Sequence, residues 1–299
     1  MSLYTLWGAL EIGLVFCLVA LGVFITFRVL NFPDLTVDGS FPLGAATAAI
    51  LISTGHDPFL ATLAATAAGA LAGLLTGFIN VRLRIMDLLA GILVMIALYS
   101  INLRVMGGPN VPLITEPTVF SVLPGWAADY VERPLALLVL VLVLKFGLDR
   151  FFGAHLGLAL RATGANPRMA RAQGVNTERA VLLGVAISNG LVGLAGALFA
   201  QSQGGADISM GIGTIVIGLA AVIVGESILP ARHIVLTTLA VVLGAVLYRL
   251  VIAVALNSDF IGLQAQDLNL VTAILVAVAL VLPRLLGRRK TDRRVAGAG

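Results

Sequence analysis

A chain of 299 residues in which 59% are apolar and 11% charged is not a soluble domain, where apolar usage is about 45–50% and charged usage about 25%. With a mean hydropathy of +1.05 it reads as a polytopic membrane protein. Lipid cannot satisfy backbone polar groups, so its long apolar runs must be helices, and the alternating strands of an outer-membrane barrel are absent. The net charge of +4 is no nucleic-acid signal, because the basic residues fall in short loops and the tail, which is how membrane orientation is encoded.

The chain begins without the basic region of a signal peptide and runs directly into a first span, 4–30, that carries Glu11. The stretch 31–44, NFPDLTVDGSFPLG, is too polar and too rich in Pro and Gly for a continuous helix. It leads into a short apolar segment that ends near Gly55. A third span is expected at 59–81, with Gly69, Gly73 and Gly77 at helix-packing spacing. The fourth, 87–105, contains Tyr99, Ser100 and Asn102.

The loop 107–133 has Pro109, Pro112, Pro117 and Pro124, and its Trp126 and Tyr130 suit a membrane interface. Further spans follow at 134–152, 180–203, 212–228, 233–256 and 268–286, and a basic tail, 288–299, closes the chain. The expectation is therefore all-α: one transmembrane bundle over 1–299 with about nine spans, a possible broken second helix and a short cytoplasmic coupling helix. Arg82 with Arg84, the loop 158–178 and the tail are the basic clusters and are expected on the cytoplasmic side, which leaves the N-terminus outside.

Within 158–174, LALRATGANPRMARAQG, lies the punctuation of one short helix. Asn166 is a good N-cap, Pro167 fits the first helical position and Gly174 supplies a left-handed stop. Arg168, Met169 and Arg171 fall inside it, and Arg161 and Arg179 lie nearby. Two turns are too few to be stable alone, so such a helix calls for a surface to rest on. A plain topology signal would account for the arginines but not for the cap, the proline and the glycine.

No G-x-x-x-x-G-K-S/T motif is present, and Gly211-x-Gly213 lacks the strand and phosphate-binding context of a nucleotide loop. Any ATP-driven work must come from another chain. His56, His155 and His233 are scattered without metal-ligand spacing. No nucleophile elbow is found, and a Ser–Lys dyad is expected to have no intramembrane lysine to use. Neither a cofactor nor a metal is expected, and Cys17 reads as a small buried hydrophobe.

These residues carry a resemblance. TGANPRMARAQGVNTERAVLLGVAISNGLVGLAGALFAQ (163–201) resembles the cytoplasmic loop and following span of permeases from bacterial ATP-binding-cassette importers, and more narrowly the branched-chain amino acid and ribose-type permease superfamily. NFPDLTVDGSFPLGAA (31–46) and MGIGTIVIGLAAVIVGES (210–227) resemble a subgroup usually assigned to tryptophan or tyrosine uptake. The similarity extends over 30–286 with the motifs in the family's order. It implies a permease subunit in the bacterial inner membrane, not an enzyme, embedded in membrane lipid. Its implied partners are a separate ATPase subunit, an extracytoplasmic solute-binding protein docking the outer loops around 107–132, and a second permease copy. Asn166, Pro167, Arg168, Met169, Arg171 and Gly174 match the coupling helix through which such a permease meets its ATPase.

Some polar residues leave two readings open. The stretch 31–44 is either a cytoplasmic turn, with Asp34 and Asp38 solvated, or a broken membrane helix whose first turn at Asp38 offers free N–H groups to an anion. Tyr99, Asn102, Gln201 and Gln203 serve either interhelical hydrogen bonds or, with Asp38, a weakly polar translocation pathway. Glu11 and Arg249 form a structural ion pair, or Arg249 snorkels to the interface. Glu226 is expected to meet Arg232. An ion-coupled secondary transporter is the alternative function, drawing on Glu11, Asp38 or Glu226.

Overall fold

A computed structural model describes residues 3–122, 125, 128–230 and 233–256. Within them the chain is a helical bundle: α1 (Leu3–Val23), α2 (Val37–Ser53), α3 (Pro58–Leu83), α4 (Asp87–Met106), α5 (Asp129–Gly153), α6 (His155–Ala165), α7 (Pro167–Ala172), α8 (Thr177–Gln203), α9 (Thr214–Ile228) and α10 (Ile234–Leu256). Two three-residue strands, β1 (Asn110–Pro112) and β2 (Gly205–Asp207), pair antiparallel with Asn110 opposite Asp207 and Pro112 opposite Gly205.

Among the described residues, six segments are long and apolar enough to cross a membrane: Tyr4–Leu30, Pro58–Leu83, Asp87–Met106, Thr177–Gln203, Ile208–Ile228 and Ile234–Ala255. The expected nine are not reached among the described residues. The second expected span is the shorter apolar helix α2, and the fifth falls within α5, which is not among the six. The ninth, 268–286, and the basic tail lie outside the described residues, as do Trp126 and Arg232.

Contacts between distant residues define the two ends of the bundle. At one end, α1 runs on into a π-helical segment, Phe24–Leu30, that stops at Asn31 with a left-handed φ of 55°. There Arg28 Nε meets Glu226 Oε1 at 2.6 Å, and α6 and α7 lie beside the α3–α4 turn that carries Arg82 and Arg84. This is the basic end. The ribbon β1–β2 marks the far end. Beyond it Asp207 turns the chain by accepting hydrogen bonds from the Ser209 hydroxyl and, at 2.7 Å, the Ser209 amide. The hydroxyl first, then the amide, hold the exposed Asp207 carboxyl below its usual range.

Helices in lipid gain little from the hydrophobic effect and associate through close packing of small residues. α8 packs most extensively on α3 and α2. A Cβ at Gly69 or Gly73 of α3 would collide with the carbonyl oxygens of Asn189 and Val185, so the third-span glycines are contact points, as their spacing predicts. On its other side α8 meets α2 backbone to backbone, Gly193 against Gly44 and Gly196 against Phe41. Phe16, Phe41 and Phe199 fill the space between α1, α2 and α8 with ring centroids 5.5–6.0 Å apart. Cys17 is fully buried, with its thiol 3.5 Å from the Val242 carbonyl oxygen.

Candidate translocation site and coupling helix

The stretch 31–36 is not a solvated turn. Asp34 and Thr36 are wholly buried, and a buried, unwound backbone needs protein partners for its polar groups. Asp34 Oδ1 accepts the Thr36 amide at 2.9 Å and Oδ2 accepts Asn189 Nδ2 at 2.6 Å. Asn189 Oδ1 in turn accepts the Ser40 hydroxyl at 2.7 Å, while the Thr36 and Thr76 hydroxyls share a bond of 2.7 Å. Gly91 of α4 lets this segment pass, because a Cβ there would sit 2.8 Å from the Leu35 nitrogen.

Asp38 lies in the first turn of α2, yet its carboxylate serves another helix. Oδ1 accepts the Ile215 amide at 2.7 Å and Oδ2 the Gly213 amide at 3.3 Å, which caps the N-terminus of α9. The N-termini of α2 and α9 thus lie side by side, α2 running to the far end and α9 to the basic end. The anion held at a helix N-terminus is the protein's own carboxylate, on α9 rather than α2. A cavity of about 420 Å³ opens beside it, lined by Asp38, Pro42, Ile96, Tyr99, Asn102 and Ile212 among others. Of the residues expected along a pathway, Asp38, Tyr99 and Asn102 therefore come together.

Gln201 and Gln203 do not join them. Gln201 is buried and ties three elements: Nε2 donates to Thr62 Oγ1 at 2.9 Å and to the Ala197 carbonyl, and Oε1 accepts the Val119 amide at 2.9 Å. It is an interhelical hydrogen-bonding residue. Gln203, on the last turn of α8, reaches no farther than Ser202 Oγ at 3.4 Å. Glu11 and Arg249 do not form an ion pair: Glu11 accepts the Ser202 hydroxyl at 2.6 Å, and Arg249 lies 5.7 Å from the centre of the Phe16 ring. A hydroxyl and an aromatic face satisfy the two groups separately. Glu226 pairs with Arg28 at 2.6 Å, and the expected partner Arg232 lies outside the described residues.

Lys145 is 4% exposed in α5, with Nζ 2.6 Å from Asp149 Oδ2 one turn on. Asp149 Oδ1 accepts the Thr238 hydroxyl of α10 at 2.6 Å. Among the described residues no set of three His, Cys, Asp or Glu side chains is placed to hold a metal.

At the basic end the segment 158–178, read from sequence as a loop, is largely helical. α6 buries Gly157, Leu160 and Thr163 against the π-helical end of α1 and the start of α8. Its spacing of three along a polar stretch gave no amphipathic signal. α7 follows with the punctuation its sequence carries: Asn166 Oδ1 accepts the Arg168 and Met169 amides at 3.1 and 3.0 Å, Pro167 is the first residue, and Gly174 takes φ +81° just beyond the end. Ala170 is buried, while Arg168, Met169 and Arg171 face outward, Met169 at 53% exposure. Arg171 Nε also donates to Thr177 Oγ1 at 2.7 Å and braces α7 on α8.

The described chain is thus a bundle of apolar helices, with a short capped basic helix standing outside it. The chain belongs to the branched-chain amino acid transport system / permease component family, whose model matches residues 7–282. It is 37% identical to a tyrosine transport system permease protein of Clostridioides difficile, over 95% of this chain and 93% of that one. It is 29% identical to the Escherichia coli galactofuranose transporter permease protein YtfT, over 58% of this chain and 50% of that one. In fold it is similar to an inward-facing ABC transporter assigned to the metal-chelate type, with a TM-score of 0.50 and 16% identity over 95% of this chain and 85% of that one. The chain is thus a multi-pass inner-membrane permease of the ATP-binding-cassette importer family, with a role in transport rather than in an enzyme reaction.

Proposed function

We propose that this chain forms the membrane pathway of an importer for an amino acid, driven by an ATPase subunit that docks on α7. The observation that carries this is α7 itself. A helix of six residues, capped at Asn166 and closed at Gly174, rests on α6 and α8 of its own chain and turns Arg168 and Met169 outward. So short a helix gains its rigidity from its caps, which suits a lever pressed by a partner. Its arginines suit an acidic groove, where charge complementarity sets approach and register. The positive-inside rule puts α7 in the cytoplasm, where an ATPase would meet it, and the ribbon end outside, where a solute-binding protein would deliver the solute. A second copy of the permease completes the pathway. The substrate class follows the tyrosine transport relative.

The test is co-purification of tagged protein from native membranes in mild detergent. Wild type is expected to retain an ATPase subunit, and Arg168→Glu with Met169→Glu to lose it at least tenfold without loss of permease yield, since both side chains are exposed. Undiminished recovery with the variant would remove α7 as the docking site. Solute uptake by the permease with no ATPase present would overturn the reading in favour of an ion-driven carrier. Asn166→Ala removes a cap worth about 0.5–2 kcal/mol to its helix. Because α7 lies outside the bundle, the midpoint of thermal unfolding is expected to stay within a degree or two of wild type while ATPase recovery falls.

A further inference from the structure

Asn102 lies on the face of α4 that carries the buried Leu98 and Met106, and is itself wholly buried. Its Nδ2 donates to the Gly39 carbonyl oxygen at 3.2 Å. That oxygen can only accept, so the orientation of the amide is determined by its partner. Oδ1 is then left buried with no hydrogen-bond partner among the described residues, and Asn102 is one of the residues that line the cavity between α2, α4 and the start of α9. A buried acceptor without a donor is unfavourable by about 1–3 kcal/mol, unless something that passes supplies one.

The surroundings specify the donor. Asp38 brings a carboxylate to the same cavity and Tyr99 an aromatic ring, and Pro42, Ile96 and Ile212 make the rest of the wall apolar. A carboxylate, an amide oxygen and a ring face all favour a cation carrying N–H donors, and disfavour an anion. The metal alternative fails for want of ligands, since no group of three ligating side chains is gathered here or elsewhere among the described residues. The volume of about 420 Å³ lies in the range of small-molecule sites, roughly 300–1,000 Å³.

Resting on the import function proposed above, we infer that this cavity is a transient site for the α-ammonium group of the transported amino acid. Asn102 Oδ1 accepts its hydrogen bond, the Asp38 carboxylate supplies the opposite charge and Tyr99 covers it. Asp38 is already engaged by the Gly213 and Ile215 amides, which tempers its pull on a second cation. A weak hold of this kind lets the solute leave again.

The test uses the complex purified from native membranes, with Ile212→Cys as a reporter on the cavity rim, 74% exposed. Cys17 is fully buried and stays silent to maleimide. Labelling rates are compared with millimolar L-tyrosine, tyramine, or 3-(4-hydroxyphenyl)propionate, which keeps the ring and carboxylate but lacks the ammonium. L-tyrosine and tyramine are expected to slow labelling at least threefold and the propionate to leave it unchanged. Asn102→Leu is expected to abolish the protection and Asn102→Asp to retain it. Equal protection by the propionate, protection surviving in Asn102→Leu, or no protection by any probe overturns the site. The comparison of probes on the Ile212→Cys protein alone holds even if Asn102→Leu fails to fold. ATPase recovered with the same preparation separates the two failures: with ATPase present and no protection the ammonium site falls alone, whereas uptake without any ATPase removes the import function beneath it.

Discussion

Replacing Lys145 by leucine is expected to destabilise the permease by about 3–5 kcal/mol, while Lys145→Leu combined with Asp149→Leu is expected to recover most of that loss. Both side chains are buried, 5% and 8% exposed, and Nζ lies 2.6 Å from Oδ2. Taking either charge into a low-dielectric interior is unfavourable by several kcal/mol, and the attraction between them offsets much of it. Removing the lysine alone leaves a buried carboxylate with only the Thr238 hydroxyl to neutralise it. Removing both leaves little unsatisfied, because the Thr238 hydroxyl can then give its one proton to the Val235 carbonyl, 3.0 Å away. Lys145 additionally lies 4.9 Å from the centre of the Phe146 ring, an apolar neighbour ready to pack against leucine. A double-mutant cycle on thermal unfolding in detergent reads the coupling directly. Equal and additive losses from the two single changes would show that the pair does not act as a unit.

Gly196→Val is expected to cost about 3 kcal/mol or more and to abolish monodisperse protein, whereas Gly147→Val is expected to leave yield and thermal stability near wild type. At Gly196 even a methyl group would fall on the Phe41 carbonyl oxygen and crowd the Ala45 nitrogen. Backbone atoms held in a helix cannot swing aside as a flexible side chain does, so α2 would have to move off α8. That movement would disturb Ser40 and Asn189, which bridge the two helices. At Gly147, in the middle of α5, nothing lies within 4 Å of the added carbon. Both substitutions put the same β-branched residue into a helix, so intrinsic propensity cancels between them. Fluorescence-detected size-exclusion profiles with melting midpoints check both. Comparable losses at the two positions would show that helix propensity, not the α2–α8 contact, sets the outcome.

The residues legible from sequence alone share one property: their partners are near them in the chain. Asn166 caps amides two and three residues on, and Pro167 and Gly174 act through their own backbone angles. The apolar segments follow from composition and length, because lipid demands internal hydrogen bonding from whatever crosses it. The third-span glycines were readable by spacing as a packing face, although not which helix they meet. α6 was missed because its buried face holds a single large apolar residue, Leu160, between Gly157 and Thr163.

Everything that required a distant partner was decided by the tertiary structure. Asp34 and Asn189 are 155 residues apart, Asp38 and Ile215 are 177, and Arg28 and Glu226 are 198. A carboxylate looks the same in sequence whether it is solvated, paired, or capping another helix. Glu11 and Arg249 were accordingly matched to each other, although each meets a different neighbour, and the pairing of Lys145 with Asp149 was not read. What sorts these groups is desolvation: once buried, each must find a donor or an opposite charge within about 3 Å, and only the packing of the helices determines which one is there. The sequence by itself determined the membrane class, the apolar segments and the local form of α7, because those depend on solvent and on neighbours a few residues away. Which carboxylate caps α9, and which buried amide oxygen is left without a partner, depended on how closely glycines let α2, α4 and α8 approach.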